Sequence, residues 1–294
     1  MPRKPTDRNS PPKTKFGTPR TNSKDPRKES TPFRVSRPPR KGKMEKPVVE
    51  APPEDDMRLN KYVAHCGIAS RRAAAEIIKQ GHISVNGIVI SEIGHHVLPT
   101  DTVTFKGKPI KPVEEMIYIL LNKPKAVITT MSDEKDRKTV MDIVGQTIKA
   151  RIYPVGRLDR DTTGLLLLTN DGDLAQKLSH PSHKVKKFYH VVLDKPFHKD
   201  DLEKVKTGLL LEDGIAEVDS IEYVSGGSKE EVMVEIHVGK NRIVRRIFEK
   251  LNYNVQRLDR VYYGGLTKKD LPRGFYRKLS EQEVIMLKHF IGQK

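Results

Sequence analysis

Twelve of the twenty prolines in this 294-residue chain fall within its first 56 residues, and that bias decides where a fold can begin. Proline locks φ and removes a backbone donor, so a segment this rich in it supports neither a helix nor the interior of a sheet. Phe16 and Phe33 are the aromatics there, with few aliphatic residues beside them. So little apolar surface leaves the entropy of ordering uncompensated, which predicts a disordered tail over residues 1–56. Its net charge of +7 fits an electrostatic arm for RNA phosphates or a solubilising extension.

Residues 57–294 keep +10 of the chain's +17, so the foldable part attracts polyanions without the tail. The single cysteine, Cys66, excludes a disulfide framework and any zinc site built on cysteine pairs. It reads as a small apolar residue of the core. The apolar runs Ile117–Leu121 and Leu165–Leu168 are strand-sized, far short of the ~20 residues of a membrane span. His95-His96 and the pair His180 and His183 lack companion ligands, so no metal is expected, and no organic cofactor is signalled. These features predict a soluble, cytoplasmic protein whose first-choice partner is nucleic acid, with a monomer as the default expectation.

From Met57 the pattern becomes regular. Leu59, Tyr62, Val63 and Cys66 fall at helical spacing and Gly67 closes that helix. Ser70 can cap a second helix over Arg71–Gln80, ended by Gly81. Ile83 and Val85 alternate with polar neighbours, Asn86-Gly87 signals a tight hairpin, and Ile88–Ile90 returns. Val103 and Phe105 form one face of a further strand before the turn at Lys106-Gly107-Lys108. Arg58, Lys61, Arg71, Arg72 and Lys79 make a basic cluster on this unit. Arginine in the first turn of a helix opposes the helix dipole unless an anion docks there. The stretches RLNKYVAHCGIASRRAAAEIIKQGHISVNG and VTFKGKPI resemble the S-four-like RNA-binding domain. That resemblance implies structured RNA as partner, with Arg71, Arg72 and Lys79 as phosphate ligands and Arg58 and Lys61 beside them.

The rest of the chain mixes short strands with a few helices and shows no βαβ rhythm, which predicts an α+β fold with a mainly antiparallel sheet. Strands are expected at Ile117–Leu121, Leu165–Leu168, Tyr189–Leu193, Ile221–Val224 and Val232–Val238, with helices at Asp173–Leu178 and Ile243–Leu251. The boundaries expected are a tail at 1–56, an RNA-binding domain at 57–112 and a second domain at 113–294. Three stretches of the latter can carry chemistry. In GRLDRDTTGLLLLTNDG, Asp159 sits between Arg157 and Arg160 before a Thr-Thr-Gly turn, where a neighbouring guanidinium keeps a carboxylate ionised. Lys187-Phe188-Tyr189 opens a strand with an aromatic that is either core or a stacking face for an extruded base. In GKNRIVRRIF, Arg242, Arg245 and Arg246 are spaced to share one helix face. Taken alone, each has a bland reading as a surface ion pair, a core tyrosine or a solvated basic face.

Together these stretches, with LNKPKAVITT and NVQRLDRVYYGGLTKKDLPRGFYRKLS, resemble the pseudouridine synthases of the branch that modifies ribosomal RNA and carries an S-four-like domain in front. The resemblance runs from Met57 to about Glu283 and leans toward the large-subunit type B. It implies Asp159 as the catalytic aspartate, Arg245 as the arginine that pairs with it, and Tyr189 as the residue that stacks on the target uracil. Lys187 belongs to the same Lys-x-Tyr motif; Arg157, Arg242 and Arg246 are further RNA contacts. Ile243 departs from the branch, which has Gln or Glu there. The tetrapeptide RLDR recurs at Arg257–Arg260 without the Thr-Thr-Gly context, so Asp259 is assigned a structural role. The competing expectations are a non-catalytic RNA-binding assembly factor and, more remotely, a nucleoside glycosidase, which would need a second acid.

Overall fold

The computed structural model describes residues 56–145, 148 and 150–292. The expected tail therefore lies outside the described residues except for Asp56. From there on the chain forms a single contact unit.

Helices α1 (Leu59–His65) and α2 (Arg71–Lys79) pack their apolar faces together. Leu59 and Val63 of α1 lie one turn apart, as do Ala74 and Ile78 of α2, and all four are buried. Ser70 caps α2 by accepting from the Ala73 N–H at 3.2 Å. Strands β1 (Ile83–Val85) and β2 (Ile88–Val89) are joined by Asn86 and Gly87 at φ 52° and 83°. A two-residue turn with positive φ at both positions matches the twist of the strands it connects. β3 (Val103–Phe105) and β4 (Lys108–Pro109) complete a sheet ordered β2-β1-β3-β4. These elements close their own core around Leu59, Val63, Ile78, Ile83 and Val103. Cys66 is half-buried at the end of α1 rather than part of that core. Burial pushes its thiol up to about 12.

The second part is built on β5 (Tyr118–Lys123), β6 (Tyr153–Pro154), β7 (Thr163–Thr169), β8 (Lys187–Leu193), a small hairpin of β9 (Leu209–Leu211) and β10 (Gly214–Ala216), β11 (Ser220–Tyr223), β12 (Glu231–Ile236), β13 (Val255–Tyr263), β14 (Leu266–Thr267) and β15 (Tyr276–Lys278). Nine of them form one sheet in the order β11-β12-β8-β13-β7-β5-β15, with β14 beside β13 and β6 beside β7. Its ladders are antiparallel apart from β7 with β13, where Thr163 and Gly164 pair with Asp259 and Arg260.

Helices lie on both faces of this sheet: α3 (Val140–Val144), α4 (Gly172–Ser179), α5 (Lys199–Thr207), α6 (Ile243–Lys250) and α7 (Glu281–Gly292). β7 explains its own sequence. Leu166 and Leu168 enter a core shared with β8, α5 and α6, while Leu165 and Leu167 enter a second core against α4 and α7. A central strand covered on both faces has no reason to alternate, hence the unbroken Leu165–Leu168. The mainly antiparallel α+β architecture is the one expected. The helices α3, α5 and α7 and the long strand β13 were not. The two parts meet where Lys61 of α1 donates to Asp173 of α4 at 2.8 Å and the Val113 N–H donates to the His65 carbonyl at 3.0 Å.

Candidate active site

Asp159 stands on the turn that enters β7, and four neighbours fix that turn. The Thr162 N–H donates to the Asp159 carbonyl at 3.1 Å, closing it. The Ala126 N–H donates to the Arg160 carbonyl at 2.9 Å. The Thr129 hydroxyl donates to the Leu158 carbonyl at 2.8 Å and accepts from the Leu158 N–H at 3.3 Å. Lys123, the last residue of β5, is 0% exposed and donates to the carbonyls of Val127 (2.7 Å), Pro124 (3.0 Å) and Arg160 (3.3 Å). Burial draws its ammonium down to about 8, while Asp161 and Asp159 work the other way. A desolvated cation thus braces the turn that carries the carboxylate.

The second constraint is Gly164, at φ +108°. A Cβ there would come within 2.2 Å of the Arg260 carbonyl oxygen and 2.7 Å of Asp259 Oδ1, so only glycine lets β13 approach this closely. The second RLDR copy therefore lies against the strand that the first one leads into. Asp259 accepts from the Thr163 hydroxyl at 2.8 Å and from Arg273 at 3.0 Å, and pairs with Lys268. Burial raises its pKa, but those donors outweigh burial and hold it below the usual carboxylate range.

Asp159 and Tyr189 line one cleft of about 70 Å³, together with Leu158, Ile243 and Leu258. Tyr189 arrives from β8, is 8% exposed and packs within the larger core. The Asp159 side chain keeps 37% of its surface in solvent. Arg157, Lys240 and Arg242 also line this cleft.

The arginines of the α6 segment do not share a face. Arg242 precedes the helix at φ 46°, a left-handed conformation, and its Nη1 lies 3.8 Å from Asp159 Oδ2 while its Nη2 donates to Glu249 at 3.3 Å. Arg245 is inside the helix and 9% exposed, with Nη1 donating to the Val255 carbonyl at 3.1 Å. Its Nη2 lies 3.5 Å from the Asp161 carbonyl and its Nε has no partner. The pairing expected between Arg245 and Asp159 is absent among the described residues, and Arg242 makes that contact instead. The reason is local. The left-handed step at Arg242 turns it out of the helical register, whereas Arg245 falls on the face that buries Ile243, Val244, Ile247 and Phe248. Arg246 points elsewhere, to Asp213, through a two-pronged pair with one contact at 3.0 Å.

Lys187 does not line the cleft. It donates to the His237 carbonyl, and burial, with Arg260 nearby, lowers it to about 8. In the first part of the body, Lys61 and Lys79 are committed to Asp173 and Glu76 at 2.8 and 2.9 Å. Arg58, Arg71 and Arg72 carry no ion pair among the described residues, and neither does Arg157. Sequence reasoning missed Lys123 and Thr129. A lysine closing the run Ile117–Leu121 was the available signal, because a charged residue at the end of an apolar strand needs a buried set of acceptors. Among the described residues no three of His, Cys, Asp and Glu converge as metal ligands, and no helix is long and apolar enough to cross a membrane.

Residues 117–250 match the family described as RNA pseudouridylate synthase, and residues 57–103 match the S4 domain. Among curated proteins, the ribosomal large subunit pseudouridine synthase B of Bacillus subtilis is 42% identical over 234 residues, covering 79% of this chain and 95% of that protein. The dual-specificity RNA pseudouridine synthase RluF of Escherichia coli is 33% identical, covering 80% of this chain and 79% of that protein. A crystal structure of a pseudouridylate synthase superposes with a TM-score of 0.58 at 28% identity, over 79% of this chain and 99% of the other.

Proposed function

This chain belongs to the RNA pseudouridine synthase family, and we propose that it isomerises one uridine of ribosomal RNA, in the large subunit, with Asp159 as nucleophile. In that reaction the bond from ribose to N1 of uracil breaks and one from the same sugar carbon to C5 forms. The C5 proton is lost and N1 gains one, so atoms balance without oxidant, reductant or water. A single ionised carboxylate can open such a sequence by adding covalently and leaving when the new bond closes.

The observation that carries the assignment is the bracing of Asp159: a turn held by Lys123, Thr129 and Ala126, opening on the cleft that Tyr189 also lines. A carboxylate so held loses little freedom on reaching the sugar. The target must leave its stack, at a cost of a few kcal/mol, and an aromatic face can return ~1–3 kcal/mol of that. The cleft of about 70 Å³ is far below the ~300 Å³ of a pocket that encloses a small ligand. Arg242 must therefore swing away, and its second partner Glu249 gives it a place to go. Arg245 then remains as the buried cation behind the turn, with its Nε–H uncommitted. Arg58, Arg71, Arg72 and Arg157, which carry no ion pair among the described residues, are the RNA contacts most readily engaged. Lys61, Lys79, Lys187 and Arg246 would first have to release a carboxylate or a carbonyl.

Nucleotide-resolution pseudouridine mapping tests the proposal. Wild type incubated with unmodified small- and large-subunit transcripts should create one new pseudouridine in the large-subunit RNA. Asp159→Asn should create none while binding that RNA within about threefold of wild type. Turnover by Asp159→Asn would remove the nucleophile assignment, and a new site in small-subunit RNA would move the substrate.

A further inference from the structure

We infer that the groove between the S4 domain and α4 is a second RNA-binding site, which takes one unpaired nucleotide of the same RNA whose uridine enters the Asp159 cleft. The inference rests on the RNA synthase reading.

Size is the first observation. The groove measures about 740 Å³, against about 70 Å³ at Asp159, and lies within the ~300–1,000 Å³ range of pockets that enclose a nucleotide-sized ligand.

Charge is the second. Arg71 and Arg151 line the groove from its two walls, one from each domain, and neither carries an ion pair among the described residues. The N-terminal end of α2 lines it as well and adds positive potential, whereas that of α4 is offset by its Asp171 cap and by Asp173. Asp173, an acid on that lining, is neutralised by Lys61 at 2.8 Å. The net field suits one phosphate.

Polar side chains that can read a base are the third. The His65 ring lines the groove with no hydrogen-bond partner among the described residues, so one ring nitrogen can donate and the other accept. A Cβ placed on Gly172 would lie 3.1 Å from the Tyr153 hydroxyl and 3.5 Å from His65 Nε2. The glycine keeps that wall open between the two rings.

Position separates this groove from the catalytic cleft. Tyr153 pairs with Thr169 at the far end of β7, whereas the Asp159 turn precedes Thr163 at its near end. Six residue steps of strand at ~3.3 Å make a separation of roughly 20 Å. One nucleotide cannot reach both, so the groove holds a different nucleotide from the target and measures its distance from it. A synthase that modifies one uridine among hundreds gains a second point of registration in this way.

The test pairs crosslinking with one substitution. Large-subunit transcripts carrying 4-thiouridine or 6-thioguanosine are irradiated with the full-length protein, and the crosslinked peptides are mapped. Attachment within residues 150–153 or 172–181 is expected. Arg151→Ala should weaken RNA binding about tenfold and lower the slope of log affinity against log salt by about 1. The saturating single-turnover rate should stay within twofold of wild type, and Arg151→Lys should restore the salt slope. Absence of groove crosslinks with unchanged affinity of Arg151→Ala would overturn the proposal, as would labelling by free thionucleotides but not by RNA. Pseudouridine formed without groove crosslinks would overturn this site and leave Asp159 standing. Groove crosslinks without pseudouridine would support this site and overturn large-subunit RNA as the substrate that is modified.

Discussion

Lys123 and Lys187 are ammonium groups held out of water by backbone carbonyls rather than by carboxylates. Each has a pKa of about 8 in the folded chain against an ordinary 10.5. Below pH 8 both folded and unfolded forms are charged and the burial penalty is fully present. Between pH 8 and 10.5 the unfolded chain binds protons that the folded chain does not, so stability rises with pH across that window. Lys187→Met removes one of the two groups without touching the Asp159 turn. Urea denaturation at pH 8 and pH 10 should give wild type a gain of about 1–2 kcal/mol relative to the variant, after allowance for the wetted part of the side chain. A pH-independent difference would mean that Lys187 stays hydrated. Asp159 has no such buried environment. It is placed by its turn and faced by Arg242, which is itself poised between Asp159 and Glu249.

The strands that were readable from sequence are those whose surroundings are uniform. Ile117–Leu121 and Leu165–Leu168 are apolar because both sheet faces above them are covered, and the Asn86-Gly87 turn announces itself by the φ values it requires. Strand β13 hid behind its charges. Arg260 is buried within it, donating to the Leu165 carbonyl at 2.7 Å and lying 4.5 Å from the centre of the Tyr263 ring. No periodicity argument places a guanidinium inside a sheet. Helix α5 has only Leu202 and Val205 as buried anchors, too few for a pattern, and α3 is a single capped turn and a half. In the same way the three arginines of GKNRIVRRIF look equivalent until the left-handed residue at 242 sends them to three different partners. The contact least visible in sequence is the one between β7 and β13. Gly164→Ala tests it directly: the new Cβ would collide with backbone, at a carbonyl oxygen 2.2 Å away, and backbone cannot step aside. A loss of roughly 3 kcal/mol or more in urea unfolding is expected, or failure to accumulate folded protein. A loss under about 1 kcal/mol would mean that β13 can slide.

The molecule as a whole is strongly basic, which favours RNA through charge alone. Residues 57–294 carry a net +10 and the first 56 residues a further +7. RNA affinity should fall steeply as salt rises, because each neutralised phosphate releases counterions. Removing residues 1–56 should flatten that dependence while the remaining protein still modifies RNA. Equal slopes for the two chains would mean that the extension does not touch phosphate.

One further property comes from the parallel contact of Thr163 and Gly164 with Asp259 and Arg260. The hydrogen bond between Thr163 and Asp259 joins residues 96 positions apart. A ribosome making this protein releases β5, β7 and α4 long before β13 exists, and those early elements can pair at once. The strand that seats against the Asp159 turn arrives near the end of translation, after the arginines of α6. An emerging chain thus has its S4 domain complete while lacking the strand that seats against the Asp159 turn. Synthesis itself acts as a timer, because the contact of Thr163 and Gly164 with Asp259 and Arg260 forms only when the polypeptide is almost complete.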